Sequence, residues 1–193
     1  MHAFLLSLGV VFVAELGDKS QLMALAFSTR FRPWRVLVGI TIATAVTHAV
    51  SVGIGDLVGK GVGGRWVNVI SGLAFLGFAA WTLRGDRLTD DDEAAAASVG
   101  GRSAVATITA VGVTFFLAEL GDKTMLATIT LATREGPFGT WAGSTVGMVA
   151  ADALAIVIGR QLGTRLPERM IRIGAALAFV VFGTLLLIQG ARA

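Results

Sequence analysis

The chain has 193 residues, of which 54% are hydrophobic and only 15% charged, and its mean hydropathy is +0.76. A soluble domain carries about 25% charged residues, so this chain cannot cover a globular surface with charge, which indicates a protein solvated mostly by lipid. The absence of cysteine excludes disulfides, thiolate zinc sites and iron–sulfur clusters, and the net charge of +3 is not gathered into the basic patch typical of nucleic-acid binding.

Six apolar segments follow one another along the chain, each near the ~20 residues that cross a bilayer as a helix. They cover roughly 3–29, 36–58, 66–83, 105–133, 138–159 and 170–189. The segments lack the alternation of strands and are rich in Ala and Leu, and the first lacks the basic start of a signal peptide. The predicted fold class is therefore an all-α integral membrane protein with six transmembrane helices.

The two halves of the sequence repeat one another. A shift of 104 residues aligns the segment 14–19 with 118–123, and further identities continue without a gap through each half. A unit of three helices is odd, so the second unit should enter the membrane from the opposite side, as in the inverted repeats of transporters. The predicted organisation is a first three-helix repeat at 1–86, an acidic linker at 87–103 and a second repeat at 104–193, which together form one transport domain.

The loop arginines and lysines predict the orientation in the membrane. One side carries Arg30, Arg32, Arg35, Arg84, Arg87, Arg102, Arg160, Arg165, Arg169 and Arg172, and the other carries Lys60, Arg65, Arg134 and Arg192. We expect the arginine-rich side to be cytoplasmic, with both termini outside, in the cell's inner (cytoplasmic) membrane. The acidic run 90–93 then belongs to a solvated linker inside the cell.

Four carboxylates lie near the middle of the first and fourth segments. They are Glu15, Asp18, Glu119 and Asp122. An ionised residue at the centre of a membrane helix costs about 2.5–3.5 kcal/mol, so these helices cannot face lipid and must face each other or a wet cavity. Inverted symmetry brings all four carboxylates to one site at the membrane midplane. Gly17 lies between two of them and is expected to allow a local break that exposes backbone carbonyls.

The charge balance of this site predicts an exchanger. Lys19 and Lys123, four residues after each glutamate and so on the same helical stripe, neutralise only two of the four carboxylates. In the alternative, salt bridges from each glutamate to its own lysine merely pin the bundle, which leaves two uncompensated charges in the bilayer. One divalent cation or two protons would balance them. Oxygen ligands favour Mn²⁺, Ca²⁺ or Mg²⁺ over Zn²⁺ and copper.

Other polar residues within the apolar segments are candidates for accessory roles. Ser20 and Thr124 could add hydroxyl ligands and Gln21 an amide oxygen, with helix packing as the alternative for each. Asp152 and His48 occupy equivalent positions of the repeat. Asp152 is a candidate proton relay or lysine partner because it lies deep in an apolar run, whereas a titratable role and simple hydrogen bonding both stay open for His48.

The doubled motif Glu-x-Gly-Asp-Lys-[Ser/Thr], at 15–20 and 119–124, resembles the transmembrane-protein-165/Gdt-one family, and the resemblance covers essentially the whole chain. It implies Mn²⁺ or Ca²⁺ transport with proton exchange, no prosthetic group, and cation binding by the four carboxylates of the two motifs. The short chain resembles the bacterial members, which include manganese exporters. One departure is that Gln21 aligns with Met125 in the repeat, so only one half could supply a glutamine ligand.

The predicted function is export of a divalent cation, Mn²⁺ first and Ca²⁺ second, from the cytoplasm in exchange for protons. The alternatives are an exporter of an amino acid or other small solute, an intramembrane carboxylate enzyme, and a membrane scaffold. The chain has no nucleophile-plus-base set or HExxH motif, and the cost of buried charge disfavours a scaffold. The expected partners are the metal ion, protons and the lipid bilayer, with no nucleic acid, and a homodimer stays open.

Overall fold

The computed structural model describes residues 1–84, 103–162 and 168–192, which form helices joined by short connections, with no strand among them. The helices are α1 (His2–Glu15), α2 (Lys19–Arg30), α3 (Pro33–Gly61), α4 (Gly64–Arg84), α5 (Ala104–Glu119), α6 (Lys123–Ala132), α7 (Pro137–Leu162) and α8 (Glu168–Arg192). The predicted acidic linker, except for Ser103, lies outside the described residues.

The long apolar helices identify a multi-pass membrane protein. Among the described residues, α3, α4, α7 and α8 each contain a stretch long and apolar enough to cross a membrane. The pair α5 and α6 passes the same test together, although the pair is bent by 73°. Helix α1 is apolar but has only 14 residues. The all-helical membrane fold is thus confirmed, with four or five candidate spans where the sequence predicted six.

Two of the predicted segments are broken in the middle. Three residues separate α1 from α2, and three separate α5 from α6. Within these breaks Gly17 and Gly121 have φ angles of 77° and 80°, in the left-handed region that glycine enters without the steric cost of a Cβ. The break predicted at Gly17 is confirmed. The prediction that Glu15 and Lys19 share one helical stripe was wrong, because the helix ends between them.

The helices pack in pairs that follow the sequence repeat. Helix α1 packs along α7, its counterpart α5 packs along α3, and α4 packs against its own counterpart α8. A Cβ added to Gly39 on α3 would lie 2.8 Å from the carbonyl oxygen of Ile108 on α5, and one added to Gly143 on α7 would meet that of Phe4 on α1. Small residues permit such close backbone approach between membrane helices. Equivalent helices therefore meet at equivalent contacts.

The buried apolar side chains form two clusters, and each takes residues from both halves of the chain. In one cluster the repeat counterparts Phe75 and Phe179 face each other from α4 and α8, with ring centroids 5.8 Å apart. In the other, Phe27 of α2 and Phe115 of α5 have centroids 6.3 Å apart. The packing thus joins the halves into one body and holds the two helix breaks within it.

Candidate functional site

The two helix breaks hold the motif carboxylates inside the protein. Glu15 and Asp18 are fully buried, and Glu119 and Asp122 are 2% and 6% exposed. Each glutamate is the last residue of α1 or α5, and each aspartate immediately precedes α2 or α6. The aspartates therefore lie at helix N-termini, where the partial positive charge of the helix dipole stabilises an anion.

One hydroxyl in each half positions a glutamate. Ser20 Oγ donates a hydrogen bond to Glu15 Oε1, and Thr124 Oγ1 donates one to Glu119 Oε2 at 2.9 Å. Ser20 Oγ also lies 3.4 Å from Oδ2 of Asp18. Both hydroxyls were predicted as accessory groups. In the structure each occupies one oxygen of its glutamate, so the other oxygen of the carboxylate is available to a cation or a proton.

The lysine of the second motif joins the two halves. Lys123 Nζ lies 2.6 Å from Asp18 Oδ1, and both side chains are buried. This ion pair differs from the alternative within one helix, in which each lysine would pair with the glutamate four residues before it. Lys19, the counterpart in the first half, is half-buried, and no ion pair of the described residues includes it.

Several carboxylate oxygens in this region are buried without a hydrogen-bond partner. Among the described residues these are Glu15 Oε2, Glu119 Oε1, Asp122 Oδ2 and both oxygens of Asp152. Asp152 lies on α7, is fully buried, and interacts electrostatically with Glu15, Asp18 and Glu119. Buried polar atoms are normally paired with protein groups or ordered water, so these carboxylate oxygens have the capacity to accept a cation or a proton.

The carboxylates do not form a finished coordination shell in this conformation. Within the part of the chain that the structure describes, no three His, Asp or Glu side chains are close enough together to hold a metal ion. Glu15 nevertheless interacts electrostatically with Glu119, Asp18 and Asp152. The structure therefore brings the predicted residues into one electrostatic neighbourhood, without the short separations, among the described residues, that direct ligation of one ion by three of them needs.

Gln21 makes two hydrogen bonds to backbone groups that the sequence did not predict. Its Nε2 donates to the carbonyl of Ala151 on α7 at 3.0 Å, and its Oε1 accepts from the Gly17 N–H at 2.8 Å. In the other half, Met125 Sδ accepts from the Gly121 N–H at 3.2 Å. The amide oxygen predicted as a ligand therefore accepts a hydrogen bond from the backbone at the break, and Gln21 ties this break to the residue beside Asp152.

Other buried polar groups lie on the two long helices beside the breaks. His48 on α3 is 1% exposed, and its Nδ1 has no hydrogen-bond partner among the described residues. Thr145, seven residues before Asp152 on α7, also has a buried and unpartnered hydroxyl. Sequence reasoning missed Thr145 because threonines are common at the packing interfaces of membrane helices, and only its place on the same helical face as Asp152 marks it.

Comparisons with known proteins agree with the motif. A family described as "Divalent cation/proton antiporter GDT1" matches residues 3–90 and 106–193. A protein of Vibrio cholerae serotype O1 that is named as a candidate manganese exporter is 32% identical over 178 residues, which cover 89% of this chain and 84% of the relative. GDT1-like protein 4 of Arabidopsis thaliana is 28% identical over 217 residues, which cover 95% and 94% of the two chains.

No solved structure matches the chain. The family that the doubled motif resembles is nevertheless confirmed by the match to both halves, and it is a family of transporters. The prediction that the protein is not an enzyme is confirmed with it, which removes the intramembrane carboxylate enzyme from the alternatives.

Proposed function

Because the chain belongs to the GDT1 family of divalent cation/proton antiporters, we propose that it exports a divalent cation from the cytoplasm in exchange for protons, with Mn²⁺ as the first cargo and Ca²⁺ as the second. The observation that carries this proposal is the set of buried, unpartnered carboxylate oxygens at the two helix breaks. Oxygen donors suit both ions. The name of the Vibrio cholerae relative supports Mn²⁺ as the first choice.

The cation-binding residues in this proposal are the four carboxylates of the two motifs. They are Glu15, Asp18, Glu119 and Asp122. Their burial beside helix N-termini supports this assignment, as does the way the hydroxyls of Ser20 and Thr124 leave one oxygen of each glutamate without a partner. Outer partners of this kind orient metal ligands and typically change metal affinity 10–100-fold when removed.

The charge balance explains the exchange. With the motif carboxylates ionised and Lys19 and Lys123 charged, the site carries a charge of −2. One divalent cation or two protons restores neutrality, and a low-dielectric site strongly disfavours the empty, charged carrier. Asp152 would add a third negative charge. Because both of its oxygens are buried and unpartnered, we assign it a proton of its own while metal and two protons alternate on the four motif carboxylates.

The membrane arrangement in this proposal is a six-span inverted repeat. The broken pair of α1 and α2 forms the span equivalent to the bent pair of α5 and α6, and the repeats cover 1–86 and 104–193. Each half packs its broken helix against the long helix of the other half through equivalent contacts, which supports this arrangement. The arginine asymmetry of the loops supports two outside termini, a cytoplasmic linker at 87–103 and location in the inner membrane.

Reconstitution of the purified protein into liposomes tests the function. We expect an Mn²⁺ gradient to drive counter-flux of protons, Ca²⁺ to drive a smaller flux, and Mg²⁺ and Zn²⁺ to be weaker. Asp18→Asn and Asp122→Asn should each abolish the flux but still insert. Asp56→Asn is the matched control, because Asp56 pairs with Lys60 at the far end of α3 and is partly exposed.

Different outcomes separate the proposal from its alternatives. Wild-type flux in Asp122→Asn would remove the four-carboxylate site while leaving the transporter in place. Proton flux driven by amino acids but by none of the four metals would favour the small-solute exporter. Absence of flux with every solute, in vesicles that contain folded protein, would contradict transport and leave a scaffold.

A further inference from the structure

The two motif lysines are equivalent in sequence but not in structure. Lys123 is 3% exposed, and its ammonium contacts Asp18 of the other half at 2.6 Å. Lys19 is half-buried and outside the ion pairs of the described residues. The chain has one more lysine, Lys60, whose exposed side chain pairs with Asp56 one helical turn away. A single lysine therefore reaches into the carboxylate site from the opposite half.

The ammonium of Lys123 occupies the place that a metal would need at Asp18. A divalent ion bound to Asp18 Oδ1 would lie about 2.0–2.6 Å from that oxygen, at nearly the distance of the lysine nitrogen. The two cations would repel each other strongly at this range in a buried site, because water is excluded. A metal on Asp18 Oδ1 and the ammonium of Lys123 therefore compete for the same oxygen.

We infer that Lys123 is a tethered cation, which fills the Asp18 side of the site when no metal is bound and which the arriving metal must displace. The inference rests on the proposed function, since it concerns how the same site exchanges its cargo. Lys123 keeps its charge throughout. Its ammonium competes with the metal for Asp18, which weakens equilibrium binding, and its return to Asp18 helps to expel the metal, which accelerates release.

Removal of this competitor has a signature that a structural role would not produce. In Lys123→Gln the purified full-length protein should bind Mn²⁺ about tenfold more tightly, equivalent to about 1.4 kcal/mol, yet transport it more slowly in liposomes. If Lys123 only stabilised the fold, its replacement by glutamine would weaken Mn²⁺ binding and transport together. Lys123→Arg keeps the charge and should restore the weaker affinity. Lys60→Gln is the matched control for loss of a lysine outside the site, and Lys19→Gln should change affinity less than Lys123→Gln does.

A second measurement uses the wild-type protein, in case the glutamine variant does not fold. With three lysines in the chain, amine labelling can be followed at each by mass spectrometry. Saturating Mn²⁺ should raise the labelling rate of Lys123 relative to the exposed Lys60, because displacement frees the ammonium from Asp18. Unchanged or slower labelling of Lys123 would overturn the inference, as would affinity in Lys123→Gln that is equal to or weaker than that of the wild type.

The failure of this inference is distinct from failure of the proposed function. If wild-type protein binds and exports Mn²⁺ but Lys123→Gln binds it no more tightly, only the tethered cation is wrong. If wild-type protein neither binds nor exchanges any divalent cation, the proposed function itself is wrong.

Discussion

The hydroxyl of Thr124 is the sharpest point at which to perturb the site without altering its charge. Thr124 Oγ1 donates to Glu119 Oε2 at 2.9 Å, and Glu119 Oε1 has no partner among the described residues. Thr124→Val keeps the shape of the side chain but removes the donor to Oε2, so neither oxygen of Glu119 then has a hydrogen-bond partner among the described residues. A hydrogen bond to a charged group contributes about 1.5–3 kcal/mol. We therefore expect Mn²⁺ affinity to fall about 10–100-fold, the range typical of groups that orient metal ligands.

The measurement is equilibrium Mn²⁺ binding to purified protein, with the thermal unfolding midpoint recorded for each variant. Thr124→Ser is the matched control, because it retains the hydroxyl donor. Its Mn²⁺ affinity should stay within about threefold of wild type, since loss of one methyl group is only a small packing change. Ser20→Ala removes the equivalent donor to Glu15 in the other half and should weaken binding in the same direction. Equal affinities in Thr124→Val and Thr124→Ser would refute the reasoning that this hydroxyl orients a ligand.

Three further predictions concern packing, topology and coupling. Gly39→Ala should destabilise the protein by about 1–3 kcal/mol in thermal unfolding, because its Cβ would lie 2.8 Å from the carbonyl oxygen of Ile108; Gly53→Ala, on the same helix with nothing within 4 Å, should not. Asp91→Cys in this cysteine-free chain should react only with reagents that reach the cytoplasm, and labelling from outside would reverse the proposed orientation. Mn²⁺ affinity should rise with pH and binding in weak buffer should release protons, since metal and protons compete for the same carboxylates; binding without release would favour a uniporter.

The sequence was sufficient for the all-helical membrane class and for the position of the first break. Long apolar runs predicted the helices, and Gly17 between two acidic residues predicted a local break. The first segment shows the limit of this reasoning. Its apolar length predicted one span, but the break divides it into α1 of 14 residues and α2 of 12. Hydropathy reports how apolar a segment is, and it carries no information on a backbone break such as the one at Gly17, where φ is positive.

The partners within the site were harder to predict than its residues. The spacing of Glu119 and Lys123 allowed an ion pair within one helix as the alternative to a shared site. That pairing rule requires a continuous helix, and the helix ends between the two residues. The observed pair of Lys123 with Asp18 depends on how the two halves pack. The same holds for Gln21, whose acceptor on Ala151 lies 130 residues further along the chain. Contacts of this kind follow from tertiary packing, which no local pattern contains.

The differences between the halves affect the relative free energies of the two access states of the proposed antiporter. Two identical halves would give inward-facing and outward-facing states of equal free energy. Gln21 donates to the Ala151 carbonyl, whereas Met125, its counterpart, has no donor with which to make the equivalent bond when the halves exchange conformations. A net contribution of about 0.5–1.5 kcal/mol for one such hydrogen bond corresponds to a population ratio of about two- to twelvefold between the two states. The replacement of His48 by Asp152 across the repeat adds a second inequality within the same core. Under the proposed mechanism, the Gln21 hydrogen bond therefore contributes to favouring the conformation described here over the one in which the halves have exchanged conformations.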